Sequence, residues 1–118
     1  MRDHRRLRAF ELADELVLET YRLTKNFPKE ETFSLVAQMR RAAVSIASNI
    51  VEGCARESRA EYLRFLEIAF GSVREVAYQA SLAERLDYFR QGEGPGFLGK
   101  IDECEKVLSA LIRSVRGS

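Results

Sequence analysis

The chain has 118 residues, 46% hydrophobic and 31% charged, a balance that excludes intrinsic disorder. Its length fits a single domain over residues 1–118 better than two, with about 6,500 Å² of surface expected to stay exposed on folding. Nineteen Lys and Arg against eighteen Asp and Glu leave a net charge of +1, so total charge alone advertises neither nucleic acid nor acidic lipid.

The first predicted helix runs from about Asp3 to Asn26. Leu7, Phe10, Ala13, Val17, Thr20 and Leu23 recur at three- and four-residue steps, and Leu12 and Leu16 add a second apolar edge. Phe27-Pro28 ends it, because a residue before proline is pushed out of the helical region.

The second predicted helix spans about Thr32 to Glu52. Leu35, Met39, Ala42, Ala43, Ile46, Ile50 and Cys54 lie on one helical face, and Gly53 is expected as a left-handed stop. Ser58-Arg-Ala-Glu61 opens the third helix as a capping box, and its apolar spacing continues through Phe89 to about Arg90. That is about 48 Å of helix at 1.5 Å per residue. Gly71 in its middle costs about 1 kcal/mol against alanine, which predicts a close helix crossing there.

Gln91–Gly96 reads as a flexible loop, and Pro95 as the first residue of a fourth helix. Leu98, Ile101, Cys104, Leu108, Leu111, Ile112 and Val115 form its apolar set. Short connections between four amphipathic helices predict an all-α, antiparallel up-and-down four-helix bundle.

Two cysteines, Cys54 and Cys104, are too few for a disulfide framework and read as buried thiols. The segment Arg2-Asp-His-Arg-Arg6 has no apolar signal core, and no apolar run is long enough to cross a bilayer. The chain therefore reads as cytoplasmic.

Catalytic chemistry finds little foothold. His4 is the sole histidine, and the Cys, His and acidic residues lack metal-ligand spacing. Glu11, Asp14 and Glu15 cluster on the first helix as a solvated face. Gly92-x-Gly94-x-Gly96 lacks the preceding strand and the lysine of a phosphate loop. A non-enzyme without metal or cofactor is the expectation.

Polar residues set into the apolar stripe carry more information. Gln38, Arg41, Ser45, Asn49, Glu52 and Arg56 recur on the second helix, and Ser72 and Glu75 follow the same logic on the third. Buried polar side chains need partners, so this row predicts a hydrogen-bonded interface between helices or subunits, with a ligand or nucleic-acid surface as the alternative.

Phe27-Pro28-Lys-Glu30, the run Leu35-Val-Ala-Gln38-Met-Arg40-Arg41-Ala-Ala-Val-Ser45-Ile46-Ala-Ser-Asn49-Ile50-Val-Glu52-Gly53, Arg56, and Phe65-Leu-Glu-Ile-Ala69-Phe-Gly71-Ser72-Val-Arg-Glu75 carry a resemblance over essentially the whole chain. They resemble the 23S rRNA intervening-sequence protein family, also called four-helix bundle proteins. Ala47 departs from the proline frequent in that family, so a straighter second helix is expected. The resemblance implies an up-and-down bundle that assembles into ring-like homopentamers, with no enzymatic activity and no cofactor. The accessory proteins of diversity-generating retroelements are similar, and they bind nucleic acid and a reverse transcriptase.

Local charge gives the nucleic-acid reading its residues. Arg2, Arg5, Arg6 and Arg8 stand against Asp3, a local +3, and residues 9–20 follow with −4. Arg40, Arg41, Arg56 and Arg59 against Glu52 and Glu57 give +2, and Arg113 and Arg116 add +2 near the C-terminus. Arg2, Arg5, Arg6, Arg8, Arg113 and Arg116 are the candidate contacts to RNA or DNA, since the guanidinium fork matches phosphate. An exposed aromatic platform for single strands is not evident from the pattern. The expected function is a homo-oligomeric binding module for nucleic acid or a nucleic-acid-processing protein. The alternative is a purely structural or protein–protein assembly.

Overall fold

Four helices account for most of the chain: α1 (Arg8–Thr24), α2 (Leu35–Cys54), α3 (Arg59–Arg85) and α4 (Glu93–Gly117). The computed structural model describes residues 2–118 and has no strand among them. α1 packs on α2 and α4, and α3 packs on α2 and α4, while the diagonal pairs stay apart. The helices thus enclose one core of square section in a molecule 44 × 24 × 20 Å. The exposed area of 6868 Å² is near the value expected from mass alone.

The α2 pattern translates directly into packing. Leu35, Met39, Ala42, Ala43, Ile46, Ile50 and Cys54 are all buried, and the helix runs unbroken through Ala47. On α1 the buried stripe is Ala9, Leu12, Ala13, Leu16, Thr20, Leu23 and Thr24. Leu12 and Leu16, expected at the edge, face the core, whereas Leu7, Phe10 and Val17 flank it half-buried. Thr20 and Thr24 are tolerated inside because their hydroxyls donate to the carbonyls of Leu16 and Thr20, at 2.6 and 2.7 Å.

Several boundaries differ from the sequence expectation. Residues 4–6 form a separate 3₁₀ turn before α1, and a second 3₁₀ turn at Lys29–Glu31 delays α2 from Thr32 to Leu35. Gly53 does not stop α2 in a left-handed turn; it is helical and buried, with α3 lying close against it. α3 ends at Arg85 rather than near Arg90, which makes it about 40 Å long instead of 48. Asp87, at φ 63°, turns the chain there. Gly92, at φ 85°, caps α4, so Pro95 lies in the first turn and the expected loop is largely helix.

Gly71 is the clearest correction. No atom lies within 4 Å of where its Cβ would stand, so no tight crossing requires glycine there. At Ser58 half of the capping box forms: its hydroxyl oxygen accepts from the Glu61 amide at 3.1 Å, while the Glu61 carboxylate pairs with Arg64.

The two ends of the bundle are closed differently. Phe27, Tyr88, Phe89 and Phe97 pack together at one end, Phe27–Phe89 and Phe89–Phe97 edge-on and Phe27–Tyr88 tilted, with centroids 5.3–6.0 Å apart. Arg90 reaches Asn26 there at 2.9 Å, and the Tyr88 hydroxyl donates to Glu31 at 2.6 Å. At the other end the N-terminal segment lies on the α2–α3 turn, held by the Arg2 amide donating to the Cys54 carbonyl at 3.0 Å.

Candidate nucleic-acid interface

The six candidate arginines meet unequal fates. Arg2 is half-buried; its guanidinium donates to the Arg56 carbonyl at 2.9 Å and lies 3.9 Å above the Tyr62 ring. That placement holds the N-terminal segment down. Arg5 pairs with Asp3 at 2.9 Å, and the Arg5 guanidinium holds the Asp3 carboxyl below its usual range. Arg8 pairs with Glu11 at 2.6 Å and reaches Glu103 at 3.6 Å.

Arg113 donates to the Ser109 hydroxyl at 2.9 Å, and Arg116 is bound to Glu67. Of the six, only Arg6 has an exposed side chain with neither hydrogen bond nor ion pair among the described residues. Arg113 and Arg116 line a 320 Å³ groove between α3 and α4 with Phe70 and Ile112 at its base. Their bonds run to Ser109 and Glu67, and no hydrogen bond or ion pair among the described residues ties them to the N-terminal cluster.

The α2–α3 turn brings in cations that the sequence reading grouped elsewhere. Arg56 pairs with Glu52 at 3.2 Å and lies 5.0 Å from the Phe65 ring, which Arg64 approaches at 4.6 Å. Arg59 is exposed beside them and, like Arg6, makes no ion pair among the described residues. The periodicity placed these residues on separate helices, and only the fold of the first segment onto the turn makes them neighbours. At this end Arg2, Arg5, Arg6, Arg56, Arg59 and Arg64 stand against Asp3, Glu52, Glu57 and Glu61.

The polar row divides in two. Ser45 and Ser72 share a hydrogen bond of 2.8 Å across the α2–α3 contact. The Asn49 amide donates to the Ser45 carbonyl and hydroxyl oxygens at 2.8 and 3.0 Å. Gln38, Arg41 and Glu75 line a 220 Å³ groove with Ser45, while Glu52 and Arg56 stand apart at the exposed turn. Gln79 was missed by the sequence reading. It is 3% exposed, its amide nitrogen reaches Glu75 at 3.5 Å, and its side-chain oxygen has no partner.

Two exposed aromatics stand on separate elements, one just before α2 and one on α3. Phe33 is 94% and Tyr78 62% exposed. Phe33 falls just before the α2 stripe and Tyr78 off the α3 stripe, a departure from helical period that could have marked them.

Both thiols are buried. Burial pushes the Cys104 thiol up to about 12, and likewise raises Cys54 and brings the neighbouring Tyr62 phenol to about 12. Such thiols are poor nucleophiles near neutral pH. Among the described residues no group of three His, Cys, Asp or Glu could hold a metal ion, and no helix is long and apolar enough to cross a membrane.

No curated protein matches this chain. A crystal structure of a protein of unknown function from the S23 ribosomal protein family of Bacteroides thetaiotaomicron is similar, with a TM-score of 0.81 and 25% identity. The similarity covers 89% of this chain and 95% of that one. The family described as 23S rRNA-intervening sequence protein matches residues 5–110, which take in all of α1, α2 and α3 and most of α4. By that match the chain belongs to the 23S rRNA-intervening sequence protein family.

Proposed function

We propose that this chain is a non-enzymatic, homo-oligomeric binding module for nucleic acid or a nucleoprotein, acting in the cytoplasm without metal or cofactor. The observation that carries the reading is the arginine-rich end where the N-terminal segment meets the α2–α3 turn, in a family named for ribosomal RNA. Arg6 and Arg59 are the strongest phosphate contacts in this reading, because neither is neutralised by a carboxylate. The antiparallel up-and-down arrangement belongs to the same proposal. It is supported by the cyclic order of helix contacts and by the Asn26–Arg90 and Glu31–Tyr88 bonds, which join the first and third connections.

Self-association is supported by the large side chains left outside, among them Leu18, Phe33, Ile68 and Tyr78. A ring would present the arginine-rich end several times over and turn weak single contacts into avidity. A purely structural assembly is the second reading, favoured by the ion pairs that already occupy Arg5, Arg8 and Arg116.

Fluorescence anisotropy with a labelled 20-nucleotide RNA and the matching DNA decides between them. Binding at low salt should weaken linearly with log salt, by about 0.7–0.9 log units per phosphate neutralised. Arg6→Ala/Arg59→Ala should weaken it for every sequence and flatten that slope. No binding at low salt would leave the structural assembly in its place.

A further inference from the structure

Two features of the surface remain unused by the arginine-rich end, and each supplies what the other lacks. Between α1 and α2 lies a 500 Å³ groove walled by Tyr21, Phe33, Val36, Ala37 and Val44. Its only charged lining residues are Arg40 and Arg41. Arg40 bonds to neutral oxygens, the Thr24 hydroxyl at 3.0 Å and the Tyr21 carbonyl at 3.4 Å, and Arg41 has no ion pair among the described residues. The groove is therefore apolar with an uncompensated cationic rim.

On the adjacent outer face of α1, Leu18 is 66% exposed. Glu11, Asp14, Glu15 and Leu18 follow steps of three, four and seven residues and so share one line along the helix. Glu11 is taken by Arg8, but Asp14 and Glu15 make no ion pair among the described residues. The free carboxylates Asp14 and Glu15 lie on one side of this exposed leucine and the mutually paired Glu19, Arg22 and Lys100 on the other, and the acidic side is the chemical complement of the groove.

We propose that the groove receives the α1 face of a second copy of this chain, with Leu18 seated among Tyr21, Phe33 and Val44 and with Asp14 and Glu15 facing Arg40 and Arg41. The contact rests on the oligomeric reading above and gives it its surfaces. An apolar anchor fills the centre and charges ring it, which gives the contact both its affinity and its register. An acidic cluster that is otherwise only a solvated face acquires a partner.

The test is a complementation experiment read by light scattering after size exclusion. Wild type at micromolar concentration should run well above 13.5 kDa. Leu18→Ser and Phe33→Ser each remove one half of the contact at an exposed position, so both should keep wild-type helicity and melting while falling to monomer mass. Mixed one to one, they bring the intact groove of the first to the intact α1 face of the second, and a species of about 27 kDa, twice the monomer, should return. Added salt should shift the wild type towards monomer.

The outcomes separate the contact from the reading beneath it. A wild-type monomer would overturn both. A wild-type oligomer that neither variant disturbs would overturn this contact alone, as would single variants that dissociate but do not complement. If wild type is monomeric and Phe33→Ser instead weakens RNA binding, the groove belongs to nucleic acid and the contact fails.

Discussion

A Cβ on Gly53 would lie 2.9 Å from the Phe65 Cβ and 3.3 Å from the Tyr62 carbonyl oxygen, both fixed parts of α3. Gly53→Ala should therefore lower stability by about 1–3 kcal/mol in urea unfolding, because overpacking outweighs the gain in helix propensity. Gly71→Ala meets open space and should raise stability by about 0.5–1 kcal/mol. If Gly71→Ala were the damaging change, the crossing read from the structure would be wrong. The sequence assigned these glycines the opposite roles, Gly53 as a helix stop and Gly71 as the close crossing. Only the distance to a neighbouring backbone tells packing from tolerance, and sequence spacing does not contain it. Gln79 makes the same point from the polar side. Its buried oxygen lacks a donor, so Gln79→Met should be neutral or stabilising by up to about 1 kcal/mol in the same assay.

At the scale of the element, helix identity and the α2 face were legible because apolar residues at three- and four-residue steps admit one reading. The core face of α1 was not. Its apolar residues cover more than half a turn, and packing against both α2 and α4 selected Leu12 and Leu16 over Leu7 and Phe10. The end of α3 was overrun because Phe89 keeps helical spacing while reaching the core from a turn, through its contacts with Phe27 and Phe97. The arginine cluster was only half legible for a related reason. Charge counts along the chain say where cations are, and the fold decides which of them already hold a carboxylate.

Glu19 illustrates such a pairing between elements. Arg22 at 2.5 Å holds its carboxyl below the usual carboxylate range; burial opposes this less strongly, and Lys100 of α4 at 2.9 Å adds a lesser lowering. A depressed folded pKa means stability that is present above the unfolded value of 4.5 and lost as pH falls through the folded one. Glu19→Gln should cost about 0.5–1 kcal/mol at pH 7, and that deficit should shrink steadily on acidification from pH 5 towards pH 3. Urea midpoints at four pH values measure it, and a deficit independent of pH would refute the pairing.

For the whole molecule, the same linkage runs in the opposite direction on the alkaline side. Cys104 and Tyr62 have their protonated forms held by burial, with folded pKa values of about 12 against ordinary values of 9.0 and 10.0. An acid whose folded pKa is raised gives up its proton more readily in the unfolded chain. Its contribution is complete below the unfolded pKa and is lost as pH rises through the folded one. The bundle should therefore be insensitive to these groups at pH 8 and weaken progressively from about pH 9. Each group adds a slope of up to about 1.4 kcal/mol per pH unit, with Cys104 acting first and Tyr62 joining above pH 10. Cys104→Val removes the lower of the two titrations while keeping an apolar side chain at the α4 core. Urea midpoints for this variant should fall less steeply than those of the wild type between about pH 9 and pH 10, the slope left there coming from the Cys54 thiol, which burial also raises. A thiol reagent at pH 8 provides the kinetic counterpart. Both cysteines should label only as fast as the chain unfolds, so rapid labelling of folded protein would show that the core is open where the structure has it closed.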